Sequence, residues 1–244
     1  MFAILVSQMA FGQKLFSDFR YNLRVAGNIG GTAPVVMPAT IRGLNSFKFR
    51  PNLSLGVDAI KPFNDKWSLI LGLRTENKDM RIDGRVKTYH MEMVQGNETV
   101  EGYYTGCVVT NVRQKMISIP AVLSYKVNHD LNLKFGPYMS LLIEREFSGY
   151  AHDGYLRVGD PTGARVNVGE DEASKGSYDF SEYMRHTQYG LMAGADWFIS
   201  KHWGLFGDLC WGMTGIHKGS FKTMDQTLYP IYATIGAIYR FKNR

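Results

Sequence analysis

The chain has 244 residues, of which 45% are hydrophobic, 13% aromatic and 20% charged, so it can bury a core and is no disordered tail. Its formal charge of +6 comes from scattered Lys and Arg rather than a block, which argues against a nucleic-acid partner. No run reaches the length of a membrane-spanning helix, and 26 glycines against 8 prolines suit many strands and tight turns.

The chain opens on MFAILVSQMAFGQ, a short apolar run followed by small residues. Ala10 and Gly12 occupy the two small-residue positions that a signal peptidase reads. Residues 1–12 are therefore expected to be the remnant of a signal peptide, cut before Gln13, with the mature domain over 13–244. The basic residues that normally precede the apolar core are absent.

Eight segments then alternate strictly between apolar and polar positions. In 20–30, Tyr21, Leu23, Val25 and Ile29 oppose Asn22, Arg24 and Asn28. In 51–60, Leu53, Leu55, Val57 and Ala59 oppose Asn52, Ser54, Gly56 and Asp58. In 66–76, Trp67, Leu69, Leu71 and Leu73 oppose Ser68, Gly72, Arg74 and Glu76. In 115–126, Ile117, Ile119, Ala121, Leu123 and Tyr125 oppose Ser118, Pro120, Ser124 and Lys126. The same pattern returns in 130–144 (Leu131, Leu133, Phe135 against Asn132, Lys134, Gly136, with Glu144 at its end). It continues in 186–198 (Tyr189, Leu191, Trp197 against Gln188, Gly190, Asp196) and 202–214 (Trp203, Leu205, Leu209, Trp211 against Gly204, Asp208, Gly212). The last, 229–243, sets Tyr229, Ile231, Ile235, Tyr239 and Phe241 against Thr234, Gly236, Arg240 and Lys242. Period two over ten or more residues is the signature of a strand.

The links alternate as well. Those at 61–65, 127–129 and 200–201 are tight, whereas 31–48, 77–112, 149–183 and 217–228 are long and polar. Short turns on one side and long loops on the other are how an outer-membrane barrel is built. An aqueous sandwich would also show period two, but three features favour lipid. Aromatics gather at strand ends beside the short turns (Trp67, Tyr125, Trp197, Trp203, Tyr239, Phe241), where an interfacial girdle lies. Glycines recur on the polar side, as a narrow lumen requires. The segments are long enough to cross a bilayer with tilt, longer than sandwich strands of about five or six residues. The expected fold is an all-β, eight-stranded antiparallel transmembrane β-barrel of the outer membrane, with short periplasmic turns and long extracellular loops. Outer-membrane lipid and lipopolysaccharide are its expected surroundings.

Eight strands enclose an interior that side chains fill. The expected inward charges are Arg24, Arg74, Lys126, Lys134 and Arg240 beside Asp58, Glu76, Glu144, Asp196 and Asp208, similar in number and so expected to pair and plug the lumen. A proton or ion path is the weaker alternative.

Catalytic, cofactor and metal residues are expected to be none. His90 and His152 fall in long links, His129 and His202 at short turns. His186 and Thr187, like His217 and Ser220, point to opposite faces of a continuing strand. The acidic stretch GDPTGARVNVGEDE (159–172) lacks the EF-hand spacing and reads as a solvated loop. Cys107 and Cys210 are expected to stay unpaired, because the first lies in a polar link and the second in mid-strand.

The residues FRYNLRVAGNIGG, ISIPAVLSYK, LKFGPYMSLLI and GAIYRFK resemble the PorT-like outer-membrane barrels of Bacteroidota, with Ile119-Pro120 in the fourth strand and Gly136-Pro137-Tyr138 in the fifth. The Gly-Gln ending of the signal peptide is also common in that phylum. The resemblance covers the whole mature chain. It implies a non-enzymatic accessory role in type IX protein secretion, alongside other outer-membrane or periplasmic secretion components, and brings no catalytic residues. The alternative is a general small barrel that anchors the envelope or acts as a ligand or adhesion module. One departure is the tail Lys242-Asn243-Arg244 after the last aromatic, Phe241.

Overall fold

The structure, a computed structural model, describes residues 19–36, 38–48, 50–96, 98–171, 174–221, 223–224 and 226–242. The expected signal peptide, 1–12, and the last two residues of the basic tail lie outside them.

Twelve strands form one sheet. In chain order they are β1 (Arg20–Ala33), β2 (Ile41–Lys48), β3 (Leu53–Pro62), β4 (Trp67–Asn77), β5 (Met80–Gln95) and β6 (Glu98–Lys126). Then come β7 (Leu131–Val158), β8 (Arg165–Val168), β9 (Gly176–Asp179), β10 (Thr187–Phe198), β11 (Trp203–Gly212) and β12 (Tyr229–Arg240). Every pairing is antiparallel. Hydrogen bonds lead from β1 through β3, β4, β6, β7, β10, β11 and β12 and return to β1. The sheet is therefore a closed ring, and closure removes the exposed edges that a sheet in lipid could not satisfy.

Each alternating segment of the sequence falls on a strand of this ring, with the expected face outward. Leu55, Leu73, Phe135, Leu205, Leu209 and Ile235 are exposed, whereas Ser54, Arg74, Lys134, Asp208 and Thr234 are buried. A water-soluble sheet would invert this distribution. Trp67 packs at a tilt against Tyr125 at a centroid distance of 4.9 Å, and Trp203 edge-on against Tyr239 at 4.9 Å, both beside short turns. Those turns are closed by side-chain acceptors. Asn64 Oδ1 takes the amides of Lys66 and Trp67, and Asn128 Oδ1 takes those of Asp130 and Leu131, replacing backbone bonds the reversal forgoes. The two ends of the ring meet at the same rim, where the Phe241 amide donates to the Tyr21 carbonyl.

Where eight strands are expected from the sequence, the sheet has twelve, because three of the long polar links are not simple loops. Link 31–48 contains β2, link 77–112 is β5 and the outer half of β6, and link 149–183 is the outer half of β7 with β8 and β9. β6 and β7 run to 29 and 28 residues. At about 3.4 Å per residue that is far more than the nine to eleven or so residues a tilted strand needs to cross a bilayer. The outer halves bury their own core of Met80, Tyr89, Met91, Met93, Tyr104, Phe147, Leu156, Tyr178 and Phe180. Outside lipid the second face of a strand is free to be charged or polar. The greasy stripe that betrays the membrane strands is therefore missing there.

Candidate functional site

The lumen is closed by a ring of six alternating charges. Arg24 pairs with Asp58 and, at 2.7 Å, with Asp196. Lys134 Nζ lies 2.6 Å from Asp196 and 2.8 Å from Asp208. Arg74 closes the circuit, 3.1 Å from Asp208 and 3.7 Å from Asp58. Three cations meet three carboxylates, so the cluster is neutral. Phe206 lies beneath it, its ring centroid 4.4 Å from the Arg24 guanidinium and 5.1 Å from Lys134 Nζ. All six charged side chains are at most 3% exposed, so each is shielded from bulk water by its partners and neighbours.

A second layer lies on the side of the long links. Lys78 Nζ bonds Glu76 at 2.8 Å, and Glu76 also accepts from the Ser118 hydroxyl at 3.1 Å. The rings of Tyr138 and Tyr232 each lie 5.6 Å from Lys78 Nζ. Of the expected inward charges, those of the circuit and Glu76 are buried in the lumen, whereas Glu144, Lys126 and Arg240 are not. Glu76 belongs to Lys78, not to the Arg74 circuit. Glu144 pairs with Lys115 at 3.0 Å, both largely exposed, because β6 and β7 have left the lumen by that height. Lys126 is exposed at the turn rim, and Arg240 is half-buried, its guanidinium 3.6 Å from the Phe198 ring centroid. Lys78 was missed by periodicity because it falls one residue beyond β4, where the strand pattern stops.

Beyond the second layer the outer sheet encloses a cavity of about 530 Å³, partly open to solvent. Its wall is built by the ends of β1 and β12, by β2, β5, β6, β7 and β9, and by the link before β12. Ile41, Phe47, Met80, Ile82, Val86, Met91, Val108, Phe147, Phe180, Met224 and Leu228 make it almost wholly apolar. Two of the polar groups on it are committed: the Tyr178 hydroxyl meets Thr110 Oγ1 at 2.7 Å and the Val109 carbonyl at 3.0 Å. Flexible thioethers on an apolar wall let it adapt to differently shaped occupants. The sequence contains the signal, Met80 and Met91 on β5, but in a stretch of mixed polarity that reads as a loop.

The histidines are dispersed. His90 Nδ1 lies 3.3 Å from the Thr223 carbonyl, His186 Nδ1 is 2.7 Å from Arg145 Nη1, and His202 Nδ1 is 2.9 Å from the Arg240 carbonyl. His217 packs at 4.7 Å against both Phe147 and Phe221, and burial pushes its imidazole down to about 4, so it is neutral at physiological pH. Cys107 and Cys210 are both free thiols. Stretch 159–172, expected as a solvated loop, carries the short strand β8.

Ile119-Pro120 and Gly136-Pro137-Tyr138 face each other across β6 and β7, Pro120 opposite Tyr138. A Cβ on Gly136 would lie 2.6 Å from the Ala121 carbonyl, so only glycine lets the two backbones approach there. These motifs are packing devices of the ring wall.

Several solved structures resemble the chain. The attachment invasion locus protein Ail of Yersinia pestis is 10% identical, with a TM-score of 0.37, over 91% of this chain and 97% of that one. A second structure of Ail, in complex with the heparin analogue sucrose octasulfate, is 11% identical with a TM-score of 0.38, over the same shares. The translocator domain of the autotransporter NalP from Neisseria meningitidis is 10% identical, with a TM-score of 0.26, over 98% and 96%. No curated protein matches in sequence. The family model described as the outer membrane protein beta-barrel domain matches residues 7–218, most of the chain. A closed antiparallel ring with its apolar face outward, its charges inward and this family match give one conclusion: the chain belongs to the outer-membrane β-barrel domain family, and the protein resides in the outer membrane.

Proposed function

We propose that this protein is a plugged, non-enzymatic barrel that crosses the outer membrane with eight strands and acts as a binding module through its external sheet. The reading places the short turns in the periplasm and the extended β5–β9 structure outside the cell. The observation that carries it is the apolar cavity of about 530 Å³ above a lumen sealed by paired charges. That volume is within the range of small-molecule sites of roughly 300–1,000 Å³, and its wall selects an acyl chain or another hydrophobic molecule. An apolar fluorophore that brightens on leaving water tests it. Fluorescence should rise with purified protein, and on intact cells only when they express the protein. Val108→Trp, which narrows the cavity from its half-buried wall, should weaken binding by about tenfold or more, equivalent to about 1.4 kcal/mol, while the heat-modified mobility of the barrel stays unchanged. No signal with purified protein would sink the ligand reading, and a signal with purified protein but not with expressing cells would invert the orientation.

A second reading is an accessory role in type IX secretion, motivated by the resemblance of the Ile-Pro and Gly-Pro-Tyr strands to PorT-like barrels. The plug fits it to the extent that an accessory component conducts no cargo. Gene deletion decides: cargo with a C-terminal secretion signal held in the periplasm supports this role, and normal secretion rejects it.

A further inference from the structure

On the outer sheet, away from the cavity, three strands bring one carboxylate, one thiol and one imidazole together. Asp83 of β5, Cys107 of β6 and His152 of β7 have their donor atoms within 4.8 Å of one another, and all three are only partly exposed. We propose that they form a binding site for a divalent transition-metal ion of borderline softness, zinc being the best match.

The donor set selects the metal class. A thiolate disfavours magnesium and calcium, a carboxylate disfavours copper(I), and mixed S, N and O donors in a small cluster suit Zn²⁺. His152 Nε2 faces Asp83 Oδ1 at 3.8 Å, so this ring nitrogen is the ligand. Its other nitrogen, Nδ1, lies 3.2 Å from Asp153 Oδ2. A carboxylate behind a metal-binding imidazole fixes the tautomer and raises the basicity of the nitrogen that binds. Asp153 is one of two non-glycine residues with positive φ (+51°) among the described residues, so the backbone holds a strained conformation at the position that aims this carboxylate.

The backbone is held as firmly as the side chains. Cys107 and His152 are register partners across β6 and β7, next to a bulge between Thr105 and Cys107. The Tyr104 hydroxyl lies 2.6 Å from the His152 carbonyl and 3.2 Å from that of Cys107, tying the two ligand residues together. Gly106 lets it do so, because a Cβ there would overlap the Tyr104 hydroxyl. The Asn45 amide donates to both Asp83 Oδ1 (3.3 Å) and Cys107 Sγ (3.4 Å), so it lies beside two of the three ligands, and a water or this side chain turned over would supply a fourth. Binding displaces the Cys107 thiol proton to solvent. The resulting thiolate and the Asp83 carboxylate together balance the charge of the dication.

A second trio, His152, Asp153 and Glu170, shares the imidazole through Nδ1 but offers only exposed carboxylates besides. The experiment separates the two. Purified protein in detergent is titrated with Zn²⁺ by calorimetry and with Co²⁺ by absorption, and each variant is checked for folding by heat-modified mobility. The expected result is one ion per chain and a near-ultraviolet thiolate-to-cobalt band. Cys107→Ser should abolish the band. Asp83→Asn should weaken Zn²⁺ binding, and Asp153→Asn should weaken it by about 10–100-fold with the band retained at saturation. Glu170→Gln should change little. Absence of stoichiometric binding overturns the proposal. So does binding that survives Cys107→Ser and Asp83→Asn but is lost in Glu170→Gln, which would assign the ion to the exposed trio.

Discussion

Replacing Arg74 by methionine is expected to destabilise the barrel by about 3–5 kcal/mol, the usual cost of removing one partner from a buried ion pair. Asp208 and Asp58 both lose a cation, and the six-charge circuit goes from neutral to one net negative charge in a space shielded from bulk water. The remaining cations, Arg24 and Lys134, are each already shared between two carboxylates and cannot compensate. Thermal unfolding followed by gel mobility should occur at lower temperature. Adding Asp208→Asn restores neutrality and should recover part of the loss, which is the coupling expected of residues in one network. The proposed ligand binding should persist in whatever fraction folds, as a purely structural plug requires. A well-folded Arg74→Met barrel with no activity would instead show that the lumen charges are a working path.

The second large effect belongs to the outward face. Leu71 lies near the middle of β4, exposed on the ring's outer surface between Ala59 of β3 and Ala121 of β6. Leu71→Arg should cost about 2–4 kcal/mol in a bilayer, the range for an arginine at the midplane of a barrel's lipid face. The control is Val94 on β5, 40% exposed but on the outer sheet. Val94→Arg should cost little, because that residue faces water. Equilibrium unfolding in lipid vesicles separates the two, and equal costs would mean that the band assigned to lipid is wrong.

Together these two expectations show what is local in this fold and what is not. Lipid imposes a rule on every second residue of every crossing strand, so the ring strands, their outward faces and the aromatic rim beside the short turns are legible one segment at a time. Trp67, Leu71 and Leu73 declare their direction without knowledge of any neighbour. The inward side is legible only in kind. Arg24, Arg74, Lys134, Asp58, Asp196 and Asp208 could be assigned to the lumen from alternation, but Arg24 and Asp196 are 172 residues apart, and only ring closure brings them together. The order of charges around the circuit follows from strand register, which no single segment contains. For the same reason Glu144 could not be placed outside the lumen, whereas Lys78, two residues from Glu76, was missed only because the strand pattern stops before it.

The outer sheet was least legible, for a physical reason. Beyond the bilayer no solvent demands a uniform face. Strands there can carry His90, Glu92 and Lys87 beside Met91 and Met93 and still pair, since their core is made by β5, β6, β7 and β9 folding over one another. Sequence alone therefore determined the class of the protein, its compartment and the polarity of its wall. The cavity, the closed circuit of charges and the meeting of Asp83, Cys107 and His152 were decided only by tertiary structure, because each depends on contacts between strands distant in sequence.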